Sequence, residues 1–136
     1  MKMNPYLNFK GNCEDAMRFY AKVLGGEIEA MMPFEGTPAE EHVSPGARKH
    51  IMHACLKFGD TRLMASDCPN DKFEPMQGMY VALHPEKPEE AERIFRDLSE
   101  AGKVQMPLAE TFWAKRFGMC VDRFGTPWMI NCTPAA

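Results

Sequence analysis

Tyr6-Leu7-Asn8-Phe9, a helical stretch and Gly25-Gly26 return about 75 positions later as Tyr80-Val81-Ala82-Leu83, a second helical stretch and Gly102. The echo has a second end. Lys57-Phe58-Gly59-Asp60-Thr61-Arg62-Leu63-Met64 is matched by Arg123-Phe124-Gly125-Thr126-Pro127-Trp128-Met129, with one residue fewer. Two copies of one supersecondary unit are expected, and the rest of the chain is read outward from them.

Pro5 to Phe9 has short extended character, and Glu14 to Leu24 carries Ala16, Met17, Phe19, Tyr20, Val23 and Leu24 at spacings that make one helix face. Gly25 and Gly26 stop this helix, and Glu27 to Phe34 follows as a strand with Ile28, Ala30 and Met32 on one side. A polar interruption runs from Gly36 to Lys49; then His50 to Phe58 and Thr61 to Ser66 flank Gly59-Asp60 as a hairpin. In the second half, Gly78 to Leu83 reads as a strand. Pro88 opens a helix, Ala91, Ile94, Phe95 and Leu98 form its buried stripe, and Gly102 ends it. Lys103 to Leu108, Arg116 to Val121 and Pro127 to Cys132 supply three further strands.

Each half therefore reads βαβββ, one over residues 3–67 and the other over 76–134, with Cys68 to Gln77 as the connector inside a single domain spanning 1–136. The expected class is α+β: two paired modules forming curved mixed sheets around a concave pocket.

The 136 residues are 45% hydrophobic and 26% charged, enough apolar material for a core. A formal charge of −3 supplies no basic excess for a phosphate backbone, so nucleic acid is not expected as a partner. No apolar run is long enough to span a membrane, and the Met-Lys-Met-Asn-Pro start lacks the apolar region of a secretory signal; a soluble cytoplasmic protein is expected. The five cysteines are odd in number and widely spaced, so reduced, mostly buried thiols are the expectation.

Several motifs together resemble the PhnB-like branch of the vicinal oxygen chelate superfamily, which includes glyoxalases and bleomycin-resistance proteins. They are Asn4-Pro5-Tyr6-Leu7-Asn8-Phe9, Gly11-Asn12-Cys13, Phe19-Tyr20, Leu24-Gly25, Thr111-Phe112-Trp113-Ala114 with Phe117-Gly118, and Asp122 through Asn131. The resemblance implies paired βαβββ modules and a homodimer. It also implies activities ranging from metal-dependent isomerisation and ring cleavage to drug sequestration, so the fold alone does not choose. In metal-using members it implies one ligand on each of four strands, and the matching positions are Pro5, His53, Tyr80 and Met129. Only His53 is an ordinary ligand, so no metal residue is assigned and no cofactor is expected. A divalent metal would need a one-residue strand slip bringing His50 or Glu110 into play.

His53, between Met52 and Ala54, is suited to moving a proton or donating to an oxyanion, and equally to a hydrogen-bonded core role. Tyr6 and Asn8 share one strand face by the two-residue repeat, and Tyr80 begins the analogous strand; all three read as ligand-binding groups or as cross-sheet packing. Glu110 is a candidate acid or base, or else a solvated carboxylate paired with Lys115 or Arg116. Trp113 and Trp128 read as apolar walls or as core anchors. Cys55, two residues from His53, and Cys13, near a helix start, are conceivable nucleophiles. His42, His50 and His84 read as surface residues, and the 12 methionines as filling for a core or an adaptable cavity.

The leading expectation is a protein that binds an unidentified small molecule without a complete metal site. The alternative is a lyase, isomerase or related enzyme acting on a small polar organic substrate by His/Glu acid–base chemistry. A dimer with no ligand role is a third. No GxGxxG follows a strand, and no feature points to binding of a methyl donor.

Overall fold

The computed structural model describes residues 1–68 and 72–133 and divides into two compact units, residues 1–74 and 75–136. Part of the expected connector, at 69–71, and the last residue of the second module, 134, lie outside the described residues.

The first unit is β1 (Tyr6–Phe9), α1 (Cys13–Leu24), β2 (Glu27–Pro33), β3 (Ile51–Phe58) and β4 (Thr61–Asp67). Its sheet runs β1-β4-β3-β2, with β1 parallel to β4 and the other neighbours antiparallel. The second unit is β5 (Val81–Leu83), α2 (Pro88–Ser99), β6 (Lys103–Ala109), β7 (Arg116–Val121) and β8 (Pro127–Cys132), in the order β5-β8-β7-β6 with β5 parallel to β8. Each unit is βαβββ with a four-stranded mixed sheet and one packed helix: the α+β fold expected from the repeat.

Period decides which faces are buried. Cys13, Ala16, Met17, Tyr20 and Val23 of α1 recur at helical spacing and are buried. They pack on the sheet side formed by alternate strand residues Leu7, Phe9, Ala54, Leu56, Leu63 and Ala65. Each large member of this set, such as Met17 or Leu56, contributes about 2 kcal/mol through burial. The second unit repeats the device, with Ala91, Ile94, Phe95 and Leu98 of α2 above a side that holds Leu83, Trp128 and Ile130.

Two details differ from the sequence expectation. The strand expected from Gly78 forms only over Val81–Leu83, so Tyr80 precedes β5 rather than lying in it. The polar stretch 36–49 contains two short helical turns, Pro38–His42 and Pro45–Ala47, each opened by a proline whose missing N–H costs nothing at a helix start.

The helix exits explain the repeated glycines. At the end of α1, Gly25 takes the left-handed conformation (φ 74°), while a Cβ on Gly26 would lie 2.8 Å from the Lys57 carbonyl oxygen. After α2 the left-handed residue is Ala101 (φ 60°), and Gly102 is the one pressed against a carbonyl, that of Val121. Gly102 thus matches Gly26, and Ala101 occupies the position of Gly25.

Candidate functional site

In the first unit, the sheet side opposite the buried one carries Tyr6 and Asn8 from β1, Met64 and Ser66 from β4, His53 and Cys55 from β3, and Met32 from β2. The register sets Tyr6 beside Met64, Met64 beside Cys55, and His53 beside Met32. Tyr6 is 48% exposed and Met32 42%, so this side is reachable. The Tyr6 hydroxyl lies 3.2 Å from Nδ1 of His53, and the two rings stack with centroids 5.9 Å apart. Asn8 pairs with its neighbour on β4: the Ser66 hydroxyl donates to Asn8 Oδ1 at 3.3 Å. Four residues singled out from the sequence, Tyr6, Asn8, His53 and Cys55, therefore share one face, and Tyr6 and His53 are in contact.

A β-bulge gives this face its ion pair. Ile28 and Ala30 oppose consecutive residues of β3, which leaves Glu29 as the extra residue. Glu29 accepts from Arg62 Nε at 2.8 Å and lies 3.8 Å from Cys55 Sγ. The Arg62 hydrogen bond holds the Glu29 carboxyl below its usual range. Burial, followed by the Glu29 charge, pushes the Cys55 thiol up, so Cys55 is not an activated partner for His53.

Cys13 is closed to the same chemistry. It is fully buried at the start of α1, and burial, then the charges of Asp67 and Glu14, push its thiol up to about 12. The helix amides that would have stabilised a thiolate are held by a residue not singled out from the sequence. Asp67 Oδ1 accepts from Gly11 N at 2.8 Å and Cys13 N at 3.0 Å, and Oδ2 accepts from Ile51 N at 2.8 Å. This carboxylate, 1% exposed, caps α1 from the end of β4, where the local cap residue Asn12 makes no side-chain bond. Alternation marks it in the sequence, because Leu63, Ala65 and Asp67 fall on the buried side.

In the second unit, Glu110 is exposed just beyond β6. Its expected pairing with Arg116 does not form: Arg116 Nε reaches Glu92 on α2 at 3.0 Å, and its Nη1 donates to the Lys115 carbonyl. The Thr111 hydroxyl is engaged in the turn that follows, accepting from Ala114 N at 3.1 Å. That turn presents Trp113, 44% exposed, with its ring edge-on to Phe117 at 5.2 Å and to Phe112 at 4.7 Å. Tyr80 donates to Gln105 Oε1 at 2.8 Å. Because β5 and β6 are opposite edges of their sheet, this bond records the sheet's curvature.

Trp128 is a core anchor. It is fully buried, and its indole N–H donates to Asp122 Oδ2 at 2.8 Å, while Asp122 Oδ1 accepts from Phe124 N and Thr126 N. Its place facing α2, with its one polar atom engaged, gives it the core role in place of the apolar-wall role. Asn131, the cross-strand partner of Phe117 on the sheet side away from Trp128, was not singled out; its Oδ1 is buried with no hydrogen-bond partner among the described residues.

Among the described residues, no group of three or more His, Cys, Asp or Glu stands together to hold a metal ion. The positions that the resemblance matches to a metal tetrad do not fit one: Pro5 has no donor side chain, Met129 offers only a thioether, and Tyr80 gives its phenolic proton to Gln105. Nor is any helix of the described residues long and apolar enough to cross a membrane.

Comparisons with known proteins agree with this architecture. The family model described as 3-demethylubiquinone-9 3-methyltransferase matches residues 1–131. Protein YjdN of Escherichia coli (strain K12) is 35% identical, over 96% of this chain and 95% of its own length. The crystal structure of PA1353 from Pseudomonas aeruginosa superposes with TM-score 0.89 at 44% identity, covering 99% of each chain. The solved structure of a PhnB protein from Bacillus cereus gives 0.82 at 26% identity, covering 98% of this chain and 100% of the other. The chain belongs to the family described as 3-demethylubiquinone-9 3-methyltransferase, the PhnB-like branch of the glyoxalase and bleomycin-resistance superfamily.

Proposed function

We propose that this protein binds a small organic molecule on the Tyr6–His53 side of its first sheet, and that it does so as a homodimer without a family-type metal tetrad. The observation that carries this reading is the 3.2 Å contact between the Tyr6 hydroxyl and His53 Nδ1 on a reachable sheet side bordered by Met32 and Met64. A few directional polar groups among polarizable apolar side chains are what a small-molecule site needs: the thioethers adapt to shape, and the polar groups fix orientation. Asn8 remains a proposed ligand contact on this side, and Tyr80 and Trp113 remain proposed ligand contacts within the second unit. The methyl transfer in the family's description does not enter this reading, which rests on side chains of this chain. Screening small aromatic and carbonyl compounds by chemical-shift perturbation tests it. Binding that shifts Tyr6, His53 and Met32 supports the reading, and perturbations confined elsewhere overturn it.

The same contact favours one second reading. A phenol hydrogen-bonded to an imidazole is a proton relay, so His53 would give its Nε2 proton to a bound substrate as Nδ1 takes the Tyr6 hydroxyl proton. Within the second unit, Glu110 remains a separate proposed acid or base. Turnover abolished by His53→Gln with binding retained would establish this enzyme reading over simple binding.

A further inference from the structure

We propose that Tyr6 fixes the tautomer of His53, so that this sheet side takes its ligand through an oxygen acceptor, a carbonyl or carboxylate on an apolar carbon skeleton. The inference rests on the reading of this side as a binding site and names the ligand class it selects.

A neutral imidazole carries one N–H and one bare nitrogen, and which is which depends on the partner of either one. The partner here is a phenol, 3.2 Å from Nδ1. A phenol O–H is a stronger donor than an imidazole N–H, and an imidazole nitrogen is a better acceptor than a phenol oxygen, so the proton in this contact sits on Tyr6. The internal repeat shows the same polarity. Tyr80, which matches Tyr6, extends its hydroxyl toward a strand of its own sheet and donates it to Gln105 Oε1. With Nδ1 accepting, the His53 proton resides on Nε2, directed away from Tyr6.

The other polar groups of this side act in the same sense. Ser66 donates to Asn8 Oδ1, which leaves the Asn8 Nδ2 amide as that side chain's outward donor. Glu29, the carboxylate at its margin, is already engaged by Arg62. Two donors and no uncommitted carboxylate select for an acceptor. The cross-strand neighbours Met32 of His53 and Met64 of Tyr6 supply the apolar contact for the skeleton that carries it.

Long-range proton–nitrogen correlation spectra of the full chain, recorded where His53 is neutral, read the tautomer without any ligand. The expected pattern is a bare Nδ1 and a protonated Nε2, shifting toward a mixture of tautomers in Tyr6→Phe; the dispersed methionine methyl signals confirm that the variant is folded. Acetophenone and toluene, which share a ring and differ in the acceptor, then serve as probes. Acetophenone is expected to move the Nε2–H resonance and to bind about tenfold more tightly than toluene, the worth of one hydrogen bond. That margin should shrink in Tyr6→Phe. A protonated Nδ1 in the wild type, or a tautomer indifferent to Tyr6→Phe, overturns the tautomer assignment. Equal binding of the two probes overturns the acceptor class. If neither binds while the tautomer stands as stated, the ligand class and the binding reading fall together, and the role of Tyr6 survives.

Discussion

Single residues do two kinds of work in this chain, and the sequence made one kind easier to see than the other. Tyr6, Asn8 and His53 were recognisable because polar side chains on an otherwise apolar strand are conspicuous, and the two-residue repeat puts Tyr6 and Asn8 on one side. Asp67 was not, because its role depends on three amides from Gly11, Cys13 and Ile51 that only the folded chain gathers. Asp67→Asn leaves one of these donors facing an amide NH2, so it should destabilise the protein by about 3 kcal/mol, read as a lower denaturation midpoint. A loss smaller than about 0.5 kcal/mol would show that the cap is dispensable. The cysteines give a second prediction. Burial raises the Cys13 and Cys120 thiols from the ordinary 9.0 to about 12, so neither should react with a thiol reagent at pH 8 until the chain is unfolded. Because the folded-state values are raised, their contribution to stability is complete below pH 9 and lost as the pH climbs toward 12. Labelling of either cysteine in the native state would contradict this.

At the level of elements, the boundaries followed periodicity closely because each helix has one apolar stripe and each central strand one buried side. What periodicity could not show was the division of labour at the helix exits. Gly25-Gly26 and Ala101-Gly102 each combine a left-handed residue with one crowded by a neighbouring carbonyl, and only in the second pair does the left-handed position carry a Cβ. Ala101→Gly should therefore stabilise by about 1 kcal/mol, and Gly102→Ala should destabilise, since the obstruction is backbone and cannot rotate away. Thermal midpoints moving in opposite directions are the expected result; a shared direction would refute the correspondence. The open side of the second sheet offers another comparison. Asn131 Oδ1 is buried without a partner, and replacing an unsatisfied amide by an apolar group of similar volume removes a desolvation cost. Asn131→Leu should raise stability by about 1 kcal/mol, and a loss instead would mean that the amide has a partner in solution.

For the whole molecule, the double-ended repeat carried most of the fold, because a βαβββ unit has two recognisable ends: the strand leading into a helix that stops at glycine, and the hairpin that closes the sheet. The structure adds that the repeat extends to two of the candidate binding side chains. Tyr6 and Tyr80 match in sequence, and each sends its hydroxyl to a strand beyond its neighbour, one to an imidazole and the other to an amide. The chemical difference between the halves therefore lies in the acceptor rather than in the tyrosine, which is why a repeat alone could not choose between the halves for the proposed ligand site. The same surface view bears on assembly. Phe112 is 98% exposed, and Val104, Met106, Tyr80 and Met32 also stand in water, an apolar burden that a chain of 136 residues with a formal charge of only −3 does little to keep apart from other copies. We expect light scattering during size exclusion to give twice the mass of one chain at micromolar concentration. Phe112→Ser combined with Val104→Lys, both at exposed positions and at the cost of the Phe112–Trp113 edge contact, should shift that mass toward the single chain if this surface is the one covered. A single-chain mass for the wild type would remove the homodimer from the proposed function and leave the Tyr6–His53 site to be judged on ligand binding alone.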